Sequence, residues 1–181
     1  MNVLILNSFE SGSAINGQVK DIKGALSAKG VAASELVLRD MNYFPCRGCF
    51  DCWVKTPGLC VFKDDGPILC RAVLHSDFIL LASPVVMGYP SAMLKNALDR
   101  TLPLIHPYLE DVGGEVHHMK RYEQLPSMGL FLEQSGDTDD EDISIITAIF
   151  ERAAINMRTG LGFVRLTTTP AEEIAHEIIN H

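Results

Sequence analysis

Four cysteines carry the densest reactive chemistry in this chain. Cys46, Cys49, Cys52 and Cys60 are spaced C-x2-C-x2-C-x7-C. Thiolates are soft metal ligands, and three of them in so short a stretch wrap a loop round one centre, as an iron–sulfur cluster requires. Pro57-Gly58 is a turn dipeptide that can return the fourth. The spacing departs from the bacterial ferredoxin run, which places three residues before its last cysteine and a proline after it. Structural zinc more often uses two separated C-x2-C pairs. The compact triple therefore favours a [4Fe-4S] cluster over zinc, and unused cysteines are the remaining alternative. Cys70 follows Pro67 in a helical stretch and reads as a small buried hydrophobe.

A second set of residues suits a flat ligand that carries a phosphate. Ser8, Ser11, Ser13, Ala14 and Ile15 lie in a loop of small and hydroxyl residues that runs into a helix. Such a loop offers backbone N–H groups, hydroxyls and a helix N-terminus to an anion. It holds no arginine or lysine, Glu10 adds a negative charge, and a plain strand-to-helix turn is the alternative. Pro84, Val85, Val86, Met87 and Gly88 form a stiff, apolar second loop. It can bed a flavin ring and present N–H groups to its N5 and O4, or simply cap the next helix. Gln134 and Ser135 sit in a third loop, either flanking the ring or forming an ordinary acidic surface turn. Taken together, the three loops point to FMN.

These residues need a scaffold that brings their loops to one edge. Apolar runs at 3–6, 34–38, 77–82, 128–132 and 163–167 read as strands, most of them covered on both faces. Between them Ile15, Val19, Ile22 and Leu26 recur at helical spacing, with Gly30 after them as a terminator. Leu94, Ala97, Leu98, Thr101 and Leu102 repeat the pattern, as do Ile143, Ile146, Phe150, Ala153 and Met157. Thr169, Pro170 and Glu172 read as a capping box that starts a last helix, whose stripe is Ile174, Ala175 and Ile178. The alternation predicts an α/β fold, a flavodoxin-like three-layer sandwich whose five-stranded parallel sheet has the order 2-1-3-4-5. Ligands then bind beyond the carboxyl ends of strands one and three, where the strand order reverses.

The 181 residues fit a single domain, with a cysteine-rich loop at 45–63 and an insertion at 103–126. The insertion is too long for an ordinary connection, so it is read as functional or as an interface. A net charge of −8 argues against nucleic acid as a partner, and no apolar run suits a membrane span. The apolar start at Met1 lacks the basic region of a signal peptide, so the chain is expected in the cytoplasm with reduced thiols. His117, His118, Arg121 and Tyr122 suit a nicotinamide or substrate contact, or a subunit contact, which is preferred. Lys95, Asp99 and Arg100 read as a salt-bridged anchor for a helix end.

The cysteine string continues into Asp64-Asp65, Ser83-Pro84-Val85 and Leu94-Lys95-Asn96-Ala97-Leu98-Asp99-Arg100. On these residues the sequence resembles the iron–sulfur flavoproteins of the NAD(P)H-dependent FMN reductase and multimeric flavodoxin group. The resemblance covers residues 1–102 well and the remainder loosely. It implies a flavodoxin-like fold, FMN, a [4Fe-4S] cluster and a homo-oligomer, a dimer or tetramer. Members often carry Ser-Pro-Arg in the phosphate loop, where this chain has Ser8-Phe9-Glu10.

The expected function is an FMN-dependent oxidoreductase that takes electrons from NAD(P)H or a redox partner protein and passes them to a partner or small acceptor. With no Gly-x-Gly-x-x-Gly, NAD(P)H would bind only transiently over the flavin. Two alternatives compete with this reading. One is an FMN or quinone reductase with unused cysteines, and the other is a zinc-stapled binding module without redox activity. No side chain stands out as a catalytic acid or base.

Overall fold

The computed structural model describes residues 1–181. Five parallel strands form the central sheet: β1 (Asn2–Asn7), β2 (Ala32–Val37), β3 (Phe78–Val86), β7 (Ser127–Glu133) and β8 (Leu161–Leu166). Their order is β2-β1-β3-β7-β8, the 2-1-3-4-5 topology expected from the sequence. A short strand β4 (Tyr89–Pro90) pairs antiparallel with the end of β3. Strands β5 (Ile105–Val112) and β6 (Glu115–Lys120) make a separate two-stranded hairpin.

Side chains of a strand alternate between its two faces, and this alternation builds two cores. Leu4, Leu6, Ile79, Leu81, Leu130 and Leu132 point to one side. There they meet helices α3 (Gly66–Leu74), α4 (Ala92–Asp99) and α5 (Asp140–Asn156) through Leu69, Val73, Leu94, Ile146 and Phe150. Val3, Ile5, Phe78 and Leu80 point the other way, against α1 (Ile15–Ala28) and α6 (Ala171–Asn180). Each fully buried leucine or isoleucine contributes roughly 1.5–3 kcal/mol. The two apolar faces thus fix the register that sends three loop-bearing strand ends to one edge.

Several helix ends differ from expectation. Thr169 does not cap α6: Pro170 occupies the N-cap position, with no side-chain hydrogen bond. The capping box is found on α5 instead, where Asp139 and Asp142 exchange bonds with each other's backbone. Helix α4 stops at Asp99, and Leu102–Leu104 form a 3-10 turn before the hairpin. No helix is long and apolar enough to cross a membrane.

Candidate functional site

The ends of β1 and β3 are tied by a buried relay of serines. Ser8 donates its N–H to the Ala82 carbonyl at 2.9 Å and its hydroxyl to the same oxygen at 3.0 Å. Ser91, the N-cap of α4, donates its hydroxyl to Ser8 Oγ at 2.9 Å and accepts the Leu94 N–H. Its own N–H donates to Ser83 Oγ at 2.9 Å. The Ser8 hydroxyl proton is therefore committed within the protein, and Ser8 works as a tie under the loop.

The rest of that loop is shaped by residues the sequence did not single out. Asn16 donates to the carbonyls of Glu10 and Ser13, at 2.7 and 3.1 Å. Its amide oxygen accepts from Asn7, which also donates to Glu35. Ser13 Oγ accepts the Ile15 N–H at 3.1 Å and so closes the first turn of α1. With the carbonyls held this way, the N–H groups of Ser11, Gly12 and Ala14 donate to no protein acceptor. They border the exposed rim that Glu10, Ser11 and Gly12 form before the helix. Free donors ahead of a helix N-terminus are what an anion needs. A basic group also reaches the loop: Arg39, from the 3-10 turn Leu38–Asp40, donates to the Phe9 carbonyl at 2.6 Å. Sequence proximity gave no hint of it, since the two residues meet only because β2 lies beside β1.

The second loop is tighter than a rigid open turn. Strand β3 runs through Ser83 and Pro84 to Val86, and β4 returns antiparallel with Val85 opposite Pro90 and Val86 opposite Tyr89. Met87 and Gly88 form the turn, with φ of 52° and 72°. Val85 is buried in the core, while Val86 and Met87 are exposed, Met87 to 91%. The apolar surface available to a ring is thus Val86 and Met87. Gly88 answers to the turn and to a close approach, because a Cβ there would stand 2.5 Å from Asp142 Oδ1.

Glu133, at the end of β7, lies opposite Pro84 in register. Gln134 and Ser135 follow it directly, on the same edge. Ser135 shares its hydroxyl with Asp137 and Thr138, and the Asp137 carboxyl is lowered by the Ser135 bond. All three expected flavin loops therefore share the switch-point edge.

The cysteine loop is closed at its base by two aspartates. Asp64 accepts the N–H groups of Phe44 and Gly66, and Asp65 accepts that of Asn42. Asp64 also forms a two-pronged ion pair with Arg100, at 2.6 and 2.7 Å, both side chains being buried. The Arg100 hydrogen bond holds the Asp64 carboxyl down to about 2, against the opposing effect of burial. Gly66 makes room for this pair, since a Cβ there would meet Arg100 Nη2 at 2.2 Å. The expected anchor of Lys95, Asp99 and Arg100 divides in two. Lys95 and Asp99 pair with each other on the exposed face of α4, whereas Arg100 turns inward to Asp64.

Within the loop, Phe50 and Gly48 take positive φ and lead into the short helix α2 (Asp51–Val54). Trp53 donates to the carbonyls of Leu102 and Ile105, pinning α2 to the turn after α4. Thr56 donates to Leu59, and Gly58 to the Cys52 carbonyl, which makes the return turn. Cys46, Cys49, Cys52 and Cys60 all line one small hollow of about 20 Å3, together with Arg100. Burial pushes the Cys52 thiol up, and the nearby Cys60, Cys46 and Cys49 push it further. No three side chains converge tightly enough to hold a single metal ion. The four free thiols that border the hollow are soft metal ligands. Cys70 lies outside the hollow in α3, buried, with its thiol 3.3 Å from the Arg100 carbonyl and pushed up to about 12 by burial.

The insertion is the β5–β6 hairpin, turned by Gly113 and Gly114. The Arg152–Glu115 ion pair holds it to α5 and the Arg158–Glu110 pair to the turn after that helix, and the rings of His118 and Trp53 meet at 5.1 Å. His117 is buried beside Glu115. A cavity of about 440 Å3 opens beside it between α4 and α5, bordered by Cys46, Tyr89, Phe150 and Met157. It touches the β3–β4 hairpin through Tyr89 and is bordered by no residue of the loops after β1 and β7. The free anion donors lie in the loop after β1.

Comparison with known proteins agrees with this geometry. The profile of the NADPH-dependent FMN reductase family matches residues 1–139. An iron-sulfur flavoprotein of Methanocaldococcus jannaschii is 35% identical over 86 residues, 48% of this chain and 44% of that protein. One from Archaeoglobus fulgidus is 43% identical over 68 residues, 38% of this chain and 29% of the relative. The matches thus span less than half the length of these curated relatives. Among solved structures, an NAD(P)H:quinone oxidoreductase from Methanothermobacter marburgensis aligns with a TM-score of 0.62 at 15% identity, covering 99% of this chain and 96% of that one. An FMN-dependent NADH-azoreductase from Bacillus anthracis aligns at 0.63 and 11% identity, covering 99% and 94%. These two likenesses establish the flavodoxin-like fold.

Proposed function

This chain belongs to the NADPH-dependent FMN reductase family, and from that premise we propose that it is a single-domain, NAD(P)H-dependent flavin oxidoreductase that holds FMN at the β1–β3 edge. The observation that carries the reading is the set of unpartnered N–H groups at Ser11, Gly12 and Ala14, just ahead of α1. They suit the FMN phosphate, with Arg39 close enough to lend positive charge. Val86 and Met87 give the ring an apolar bed on one side, and Gln134 and Ser135 border it on the other. Pro84 holds the strand end straight, and Val85 anchors the hairpin in the core. The bound flavin supplies the hydride and electron chemistry, while the protein supplies position and polarity.

The same reading assigns Cys46, Cys49, Cys52 and Cys60 to a [4Fe-4S] cluster. Its support is the shared hollow, the four free thiols and the names of the two archaeal relatives. NAD(P)H then serves as a transient donor, a protein partner or small molecule as acceptor, and the cytoplasm as the compartment that keeps the thiols reduced.

The test is an anaerobic preparation examined by absorption spectrum, with iron and acid-labile sulfide analysis. Flavin absorbance with about four irons per chain is expected. Changing Cys49 to serine should strip iron and leave the flavin band, and changing Cys70 to serine should leave both. Flavin without iron would leave an FMN or quinone reductase with unused cysteines. A colourless protein with zinc would end the redox reading.

A further inference from the structure

Arg100 is 2% exposed and carries a full positive charge. Its Nη1 donates to Asp64 Oδ2 and to the Phe44 carbonyl, and its Nη2 donates to Asp64 Oδ1. Nη2 also stands 3.5 Å from Cys60 Sγ. Nε is buried with no acceptor at all. A buried donor without a partner costs free energy, and native interiors rarely leave one. The guanidinium lines the same hollow as the four cysteines. Nη2 already faces Cys60 Sγ across that hollow, Nε is a second donor of the same guanidinium still in need of an acceptor, and thiolate or cluster sulfur accepts N–H bonds.

We propose that Arg100 is a positioning residue for the cysteine site, clamping the base of the loop through Asp64 while donating N–H bonds to sulfur in the hollow. The proposal rests on the cluster reading above. A guanidinium can do both jobs at once because its five donors spread in one plane; an ammonium cannot. N–H donors facing cluster sulfur stabilise the more negative reduced state and so raise the reduction potential.

The experiment compares anaerobically reconstituted wild type, Arg100→Lys, and the charge-free pair Asp64→Asn with Arg100→Gln. The double variant leaves no unpaired buried charge, so it keeps the test open if the lysine variant fails to fold. Folding is checked by circular dichroism, iron by its rate of loss to a chelator, and the cluster by its midpoint potential. Wild type should bind iron; a folded variant should lose it several-fold faster and show a more negative midpoint. A purely structural Arg100 would change stability and leave the potential where it was, and that result overturns the proposal. Iron-free wild type, seen before any variant is made, overturns the cluster reading and this proposal with it.

Discussion

The hydroxyl of Ser91 donates to the hydroxyl of Ser8 at 2.9 Å, joining two residues 83 positions apart in sequence. Through this one bond the start of α4, the end of β1 and, by way of Ala82, the end of β3 are held as a unit. The tie sits beneath both the phosphate-type loop and the β3–β4 turn. A ligand bound across them meets a surface already assembled, so little ordering cost falls on binding.

Replacing Ser91 with alanine removes both the helix cap and the tie. Loss of an N-cap typically costs about 1 kcal/mol, and the Ser8 hydroxyl oxygen, which loses the donor it accepts, adds to it, while the Ser91 N–H keeps its bond to Ser83. A loss of about 1–2 kcal/mol in urea unfolding is expected, with weaker FMN retention on gel filtration. Unchanged stability would show that the relay is dispensable.

Met87 offers the cleanest test of the ring bed. At 91% exposure its side chain packs on nothing, so Met87→Ala should shift stability by less than about 0.5 kcal/mol. FMN affinity, measured by fluorescence quenching, should nonetheless fall. Gly88 cannot serve for this purpose. Any side chain there meets Asp142 and must hold φ near 72°, so its loss of flavin would report a broken turn.

The Asp64–Arg100 pair should make stability depend on acid in a defined window. The folded carboxyl is held at about 2 against an ordinary 3.8, so the unfolded chain takes up its proton first. The contribution is complete above the unfolded value and drains away as pH falls toward the folded one. Wild type should therefore lose stability more steeply than Asp64→Asn across that interval, in denaturant titrations at fixed pH. At neutral pH the single asparagine variant should be weaker by about 3–5 kcal/mol, because it strands a buried guanidinium. Parallel acid profiles for the two proteins would refute the assignment.

The sheet was legible because its central strands β1, β3 and β7 are nearly unbroken apolar runs, and their two-faced cover follows from that pattern, while the edge strands β2 and β8 carry Glu35 and Arg165. The grouping of the four cysteines and the placing of the three loops on one edge were also legible, since residue type and spacing carry them. What the sequence concealed depends on pairings across the fold. Asp64 and Arg100 lie 36 positions apart, and helical spacing pairs Lys95 with Asp99 while giving Arg100 no partner on its own helix. Arg39 reaches Phe9 only through strand adjacency. The insertion reads as a long loop because the alternation in β5 and β6 is broken by Pro107, His117 and His118, and by a register shift between Ile105 and Leu109. Thr169 and Asp139 illustrate a local limit: both precede plausible helix starts, and only the backbone angle at each decides which one caps.

The β5–β6 hairpin carries an outward apolar face that its own domain does not cover. Leu109 and Val116, which share one face of the hairpin, are exposed at 58% and 67%, although ion pairs to Arg152 and Arg158 already fix the hairpin in place. Ordering such a face against water gains nothing, and apolar patches on an anchored element commonly mark an interface. The expectation is that a second copy of the chain covers it, giving a dimer or tetramer. Leu109→Glu together with Val116→Glu should then yield a smaller species by light scattering. Because both side chains are solvent-facing in the single chain, the fold of the monomer should survive the change, with circular dichroism unaltered. A wild-type protein that is monomeric at micromolar concentration, or a double variant of unchanged mass, would mean that this face serves no subunit contact.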